Sequence, residues 1–188
     1  MLLNIIKPIK LLAGSHANTG ETGQGCFMNV IAYLNGEAKI TDQSTCVCPS
    51  MHKLLIYAND LMVPKGDGHL LLPFIERAMG SATSGDIKYR LGLVVDFAKW
   101  CAPNAYAPNA PNAYAADAYA VAYAAAYTTN VAAYTTNAAA VYTAAATATF
   151  YPKLRDRLIE LFDAALPESQ TVSDIVFKRA RKLVEITN

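Results

Sequence analysis

The sequence lacks both a dominant charge and a long uninterrupted apolar run. Sixteen basic and fifteen acidic residues leave a formal net charge of +1, so the chain carries no strong overall field for nucleic acid or an anionic membrane surface. The apolar opening, residues 1–12, is interrupted by Lys7, Pro8 and Lys10, which disfavours a signal peptide. We therefore expect a cytoplasmic protein with no membrane partner and no general nucleic-acid binding.

Cysteine is scarce, and the paired Cys-x-x-Cys spacing of many zinc sites is absent. Without an export signal, reduced thiols are expected. Cys26, Cys46, Cys48 and His52 nevertheless offer three thiolates and one imidazole, which are ligand types that tetrahedral zinc accepts. Because buried cysteine commonly behaves as a small hydrophobe, inert core thiols are the competing interpretation. We predict no cofactor, with zinc at these four residues as the alternative.

Apolar residues recur at helical spacing through the first hundred residues and again after residue 152. They predict four short helices in the first part, over residues 27–34, 49–62, 73–79 and 86–100. Cys26 is predicted to lie at the start of the first helix, which Asn35-Gly36 ends, and Pro49 suits the first position of the second.

Two amphipathic helices are predicted in the tail. The buried face of the first comprises Leu154, Leu158, Leu161, Phe162 and Ala165. The buried face of the second comprises Val172, Ile175, Val176, Ala180, Leu183 and Val184, and Thr171 is its expected cap. Neither helix is expected to be stable alone, so the two should pack as an antiparallel pair, either on the N-terminal helices or on the base of the alanine-rich helix described next.

An alanine- and tyrosine-rich segment separates these two parts. Asp117 is the only charged residue between Cys101 and Thr149, and no proline occurs from Asn112 to Pro152. Alanine is the best helix former, so we predict a helix of about 35 residues, about 50 Å long. Four tyrosines fall within an arc of about 80° on it and form the predicted oligomer interface: Tyr119, Tyr123, Tyr127 and Tyr134. The alternative is a tolerated low-complexity expansion.

The expected fold is therefore all-α. It comprises an N-terminal module of short helices (residues 1–102), a long Ala/Tyr-rich helix (103–151) and a C-terminal helical pair (152–188) that packs back on the same domain.

The glycine-rich loop over residues 14–25 is the strongest candidate for ligand binding. Free backbone N–H groups at the start of a helix favour an anion, although the loop lacks the Gly-Lys-Ser/Thr ending of a phosphate-binding loop. The predicted ligand-binding residues are His16, Asn18, Thr19, Thr22, Gln24, Gly25 and Met28. A flexible connector is the alternative, as is a Cys26 nucleophile served by His52 or His69.

One stretch resembles a known family. The segment from Gly25-Cys26 to Gly36-Glu37, followed by Asp42, Cys46-Val47-Cys48-Pro49 and Asn59-Asp60, is similar to an uncharacterised family of bacterial and phage-encoded helical proteins. The similarity covers residues 14–62 and, loosely, the alanine-rich segment and the tail. It implies a shared helical module and a phage setting, with the protein then lying in the host cytoplasm. It implies no catalytic residues.

These observations favour a non-enzymatic binding protein that self-associates and holds a small anionic ligand or a protein partner. With the phage setting, the ligand becomes nucleotide-like, or the partner becomes a host-defence component that the protein blocks or sequesters. The alternative is a cysteine-centred enzyme or a zinc-stabilised module using Cys26, Cys46, Cys48 and His52.

Overall fold

A computed structural model describes residues 2–14, 16, 19–82, 89–90, 92–94, 96–97, 100, 151–166 and 173–187. Within these ranges it contains seven bounded α-helices and no strand, which confirms the all-α prediction. The helices are α1 (Leu2–Ile6), α2 (Thr19–Thr22), α3 (Phe27–Asn35), α4 (Pro49–Met62), α5 (Pro73–Ala78), α6 (Tyr151–Ala165) and α7 (Asp174–Thr187). Within the helix predicted over residues 86–100, every residue that the structure describes is helical.

Helix α3 forms where the apolar spacing predicts it, and its whole apolar stripe is buried. It ends because Gly36 takes a left-handed conformation, with φ 77°, that lets its N–H return to the Tyr33 carbonyl. Such a conformation strongly favours glycine. The Arg179 guanidinium of α7 lies against Gly36 and donates to the Leu34 carbonyl at 3.2 Å, a favourable place for a cation at a helix C-terminus.

Helix α4 starts at Pro49, as expected from the fixed φ of proline. Two short 3-10 turns, Val63–Lys65 and Gly68–Leu71, connect it to α5. Helix α5 ends at Ala78, one residue before the predicted end.

The chain divides into two compact units. The first comprises Met1–Cys48, Ala58–Gly85 and Leu166–Asn188. In it, α7 packs against α1, α2 and α3, and α5 packs against α1 and α3. The fully buried side chains Leu2, Ile6, Phe27, Ile31 and Leu183 belong to this core.

The second unit comprises Pro49–Tyr57 and Asp86–Ala165. Its described buried residues include Met51, Leu54, Phe97, Leu158 and Phe162. All five residues predicted for the buried face of α6 are buried, which confirms that face.

Three local differences from the sequence predictions appear. The loop over 14–25 contains α2, a single helical turn too short to show a periodic pattern. Ile175 was predicted to be buried but is 59% exposed, because the buried arc of α7 centres on Val176, Ala180 and Leu183. Thr171 lies outside the described residues, and α7 begins only at Asp174, with the Ser173 carbonyl accepting from Val176 and Phe177.

The predicted Ala/Tyr-rich helix and the domain boundaries at 102 and 151 fall largely on residues 101–150, which lie outside the described part of the chain. They stay predictions. Among the helices that the structure does describe, none has the length and apolar character needed to cross a bilayer.

Candidate functional site

The candidate site is the loop that leads into α3, here called the capping loop and defined as residues 11–26. It ends at Cys26, whose thiol accepts a hydrogen bond from the Asn29 backbone N–H at 3.4 Å. The Asn29 side-chain oxygen accepts in return from the Cys26 backbone N–H at 3.4 Å. This reciprocal arrangement is a capping box, and it confirms that Cys26 lies at the helix start.

Asn29 also fixes the middle of the capping loop. Its Oδ1 accepts a second hydrogen bond, from the His16 backbone N–H, at 2.7 Å. Because two N–H donors point at this one atom, it must be the amide oxygen. The other terminal atom of the Asn29 side chain is therefore the amide nitrogen, Nδ2. Asn29 is fully buried, and Nδ2 has no acceptor among the described residues.

Asn59 and Asp60, at the end of α4, hold the rest of the capping loop. The Asn59 amide accepts from the Phe27 backbone N–H at 3.0 Å and donates to the Leu12 carbonyl at 2.9 Å. Asp60 accepts from the Gly14 backbone N–H at 2.8 Å and from the Asn59 amide at 3.0 Å. The capping loop is therefore tied to the helical core at several points along its length.

Gly25 is required by close packing. A Cβ at this position would overlap the Thr19 side chain and come within 3.1 Å of the Asn29 Cβ. Thr19 is fully buried, and its hydroxyl donates to the His16 carbonyl at 3.2 Å. Thr19, Gly25 and His16 are thus grouped around Asn29.

Three further residues predicted for ligand binding are not part of this group. Thr22 and Gln24 are exposed and hydrogen-bond to each other at 3.3 Å. Met28 is fully buried in the core, and Asn18 lies outside the described residues. Ligand binding by these seven residues stays a prediction.

Sequence reasoning missed Asn29, Asn59 and Asp60 as organising residues. A polar residue in a run of apolar helix residues was the available signal for Asn29, because a buried amide in such a place needs hydrogen-bond partners. Its partners are not visible from local spacing.

The pKa of the Cys26 thiol is raised to about 11, chiefly by burial and to a smaller extent by the nearby Asp60 and Asp42 carboxylates. Backbone hydrogen bonds from Asn29 and Met28 favour the thiolate, but they do not offset the burial. Cys26 is therefore a protonated thiol at neutral pH, and the nucleophile is the thiolate.

We expect the free energy of unfolding to fall by about 2 kcal/mol between about pH 9 and about pH 11 through Cys26 alone. The unfolded thiol ionises near its ordinary pKa while the folded thiol keeps its proton, so the stabilisation is complete below that value and is lost as pH rises. Urea unfolding across this pH range measures it. The Cys26→Ala variant should show a clearly flatter profile, and an unchanged profile would contradict the raised pKa.

The proposed zinc ligands are distributed over the fold. Cys26 caps α3, Cys48 immediately precedes α4, and Cys46 lies in the connection before it. His52 lies near the start of α4, in the other compact unit. Within the described residues, no three His, Cys, Asp or Glu side chains gather as a metal-ligand group. Zinc binding stays a prediction.

The four tyrosines predicted to form an oligomer interface lie outside the described residues.

Comparisons with protein-family models, curated proteins and solved structures found no match to this chain. The family resemblance of residues 14–62 therefore stays a prediction, as does the phage setting that it implies.

Proposed function

We propose that this is a non-enzymatic binding protein that holds a small polar ligand between the capping loop and the start of α3. The observation that carries the proposal is the Asn29 Nδ2 group, a fully buried donor without an acceptor among the described residues. A buried donor left unpaired costs about 1–3 kcal/mol. A ligand with an acceptor oxygen would remove that cost on binding, and few buried groups in folded proteins are left unpaired.

The electrostatics of the site favour a ligand without net negative charge. Asp42 and Asp60 act together on the Cys26 thiol at the start of α3. The N–H groups at the start of α3 that would favour an anion are already bonded within the protein, Phe27 to the Asn59 amide and Asn29 to the Cys26 sulfur, so they offer an incoming anion little to offset the two carboxylates. We therefore favour an uncharged or cationic ligand over the small anion expected from the glycine-rich loop alone.

Binding is a better account of this site than cysteine catalysis. Cys26 is 3% exposed, and burial holds its pKa well above neutrality, so neither access nor ionisation suits a nucleophile. Because Asn29 is completely buried, any ligand reaches Nδ2 only when the capping loop opens. A small molecule could then be enclosed beside Nδ2, whereas a protein surface could not, so the burial favours a small molecule over a protein partner. Self-association through the tyrosines, and a host-defence component as target, remain proposals from the sequence.

The Asn29→Asp variant tests the role of Nδ2. Aspartate keeps an oxygen that can accept from the His16 and Cys26 N–H groups, but it replaces the Nδ2 donor with an acceptor. The matched control is Asn35→Asp, the same change on an exposed residue at the other end of α3. Binding is measured by ¹⁵N NMR titration with a fragment library divided into uncharged, cationic and anionic compounds, each bearing a carbonyl or hydroxyl oxygen.

We expect uncharged or cationic fragments to shift the Asn29 side-chain amide signals of the wild-type protein. Asn29→Asp should weaken their binding about tenfold or more, which corresponds to about 1.4 kcal/mol, and Asn35→Asp should leave it unchanged. Binding of anionic fragments only would overturn the ligand class. Failure of every fragment to shift the Asn29 amide, or equal binding by both variants, would overturn the site itself.

A further inference from the structure

Cys46 has a polar environment that differs from that of Cys26. It is partly exposed, and its sulfur lies 3.1 Å from the Ser44 hydroxyl oxygen. The Ser44 hydroxyl donates to Glu37 Oε1. Because serine carries only one hydroxyl proton, the Cys46 thiol must donate to Ser44 rather than accept from it. A series of hydrogen bonds thus runs from the Cys46 thiol through the Ser44 hydroxyl to the Glu37 carboxylate, which is the final acceptor.

The acceptor at the end of this chain is held in place. Glu37 Oε1 also accepts from the Thr45 backbone N–H and from the Asn35 side-chain amide, each at 3.1 Å. The Ser44 oxygen accepts in addition from the Cys46 backbone N–H at 3.4 Å. A thiol must lose its proton for its sulfur to attack a disulfide, and Glu37 is positioned to accept that proton through Ser44.

A second thiol follows two residues later. Cys48 is fully buried at the start of α4, and its backbone N–H donates to the Ser81 hydroxyl at 2.8 Å. The Cys46 carbonyl accepts from the Ala82 N–H at 3.0 Å. Both cysteines are therefore held to the turn after α5 that contains Ser81 and Ala82. The chain bends at Val47. Two Cα steps of about 3.8 Å span at most about 7.6 Å, and a bend between them shortens that distance toward the range of about 4.4–6.8 Å that disulfides span.

We propose that Cys46 and Cys48 form a dithiol that exchanges with small disulfides, with Cys46 as the attacking thiol and Cys48 as the resolving thiol. Exposure distinguishes the two roles, because an external disulfide can reach Cys46 but not Cys48. This activity is independent of ligand binding at the capping loop, since it involves none of the residues around Asn29.

The reaction is balanced with a small disulfide as the oxidant. As the Cys46 sulfur attacks one sulfur of the disulfide, the thiol proton passes to Ser44 and the Ser44 proton passes to Glu37. The disulfide bond breaks, and the first small thiol leaves as a thiolate that takes up a proton from water, to which Glu37 returns the proton that it accepted. The Cys48 thiol then attacks the Cys46 sulfur, loses its proton and expels the second small thiol. In sum, two protein thiols and one small disulfide give one protein disulfide and two small thiols.

The test uses the full chain treated with glutathione disulfide, quenched with acid, alkylated and mapped by peptide mass spectrometry. We expect a Cys46–Cys48 disulfide in the native sequence. Cys48→Ser should stop at a mixed disulfide of Cys46 with glutathione, and Cys46→Ser should leave Cys48 unmodified. Glutathione on Cys26 or Cys48 as readily as on Cys46, or no mixed disulfide in Cys48→Ser, would overturn the proposal.

The proton path has its own readout. Ser44→Ala should lower the rate constant for reaction of Cys46 about tenfold at neutral pH, a modest share of what general-base catalysis commonly supplies. The loss should shrink at high pH, where Cys46 ionises without help. The control is Thr45→Ala, at the exposed neighbouring residue, which keeps the backbone donor to Glu37. Equal rates for the two variants across the pH range would exclude the relay.

Discussion

Replacement of Asn59 by leucine is expected to lower the free energy of unfolding by about 3 kcal/mol. Asn59 is 1% exposed. Its amide accepts from the Phe27 N–H at the start of α3 and donates to the Leu12 carbonyl of the capping loop. Leucine has a similar volume but no polar atoms, so both backbone groups lose their partners. Each unpaired buried group costs about 1–3 kcal/mol, partly offset by the easier burial of leucine itself.

Chemical denaturation followed by circular dichroism measures this loss. The matched control is Asn4→Leu, at an exposed position of α1, where a surface substitution is expected to change stability by less than about 0.5 kcal/mol. Hydrogen exchange adds a local readout, because the Phe27 amide should lose protection in the Asn59 variant. A stability loss no larger than that of the control would mean that Asn59 does not hold the capping loop to α3.

Replacement of Arg90 by alanine should lower the free energy of unfolding of the second unit by about 4 kcal/mol. Arg90 is 2% exposed, and its Nε donates to the Ala165 carbonyl at 2.9 Å, at the last residue of α6. Alanine removes a charge-assisted hydrogen bond at a helix C-terminus and leaves a cavity where the arginine side chain was packed. Both effects act in the same direction.

Arg181→Ala provides the comparison, because Arg181 is exposed on α7 and its truncation should change stability by less than about 0.5 kcal/mol. The free energy of unfolding of both variants is measured by urea titration. Arg90→Lys keeps the charge but cannot place a donor where Nε lies, so its stability should lie between those of the wild type and Arg90→Ala. Equal stability of Arg90→Ala and Arg181→Ala would show that the buried guanidinium contributes nothing.

The helices were predictable where apolar spacing and a terminal residue agree. Helix α3 has a four-residue apolar stripe ended by Gly36, and α4 has Pro49 at its first position, so both local signals point to the observed elements. Ile175 was misassigned because spacing identifies a stripe but not its edges. It lies one residue before Val176, about 100° around the helix from it, and that rotation places it outside the buried arc.

The candidate site was only partly predictable. The glycine-rich loop and Cys26 at the start of α3 follow from local pattern, whereas the residues that organise them do not. Asn29 bonds to His16 across 13 positions, and Asn59 bonds to Phe27 across 32. Such contacts join positions that are far apart in the sequence, which no periodicity encodes. Arg179 is a further case, since in sequence it belongs to a small basic cluster, yet it caps α3 across 145 positions.

The most direct test of the account is a crystal structure of the protein with the tightest-binding uncharged or cationic fragment. The account predicts an acceptor oxygen of the fragment within about 2.7–3.2 Å of Asn29 Nδ2, with the His16 and Cys26 N–H groups still bonded to Asn29 Oδ1. A fragment bound elsewhere while Nδ2 donates to a protein acceptor or to an ordered water would contradict it.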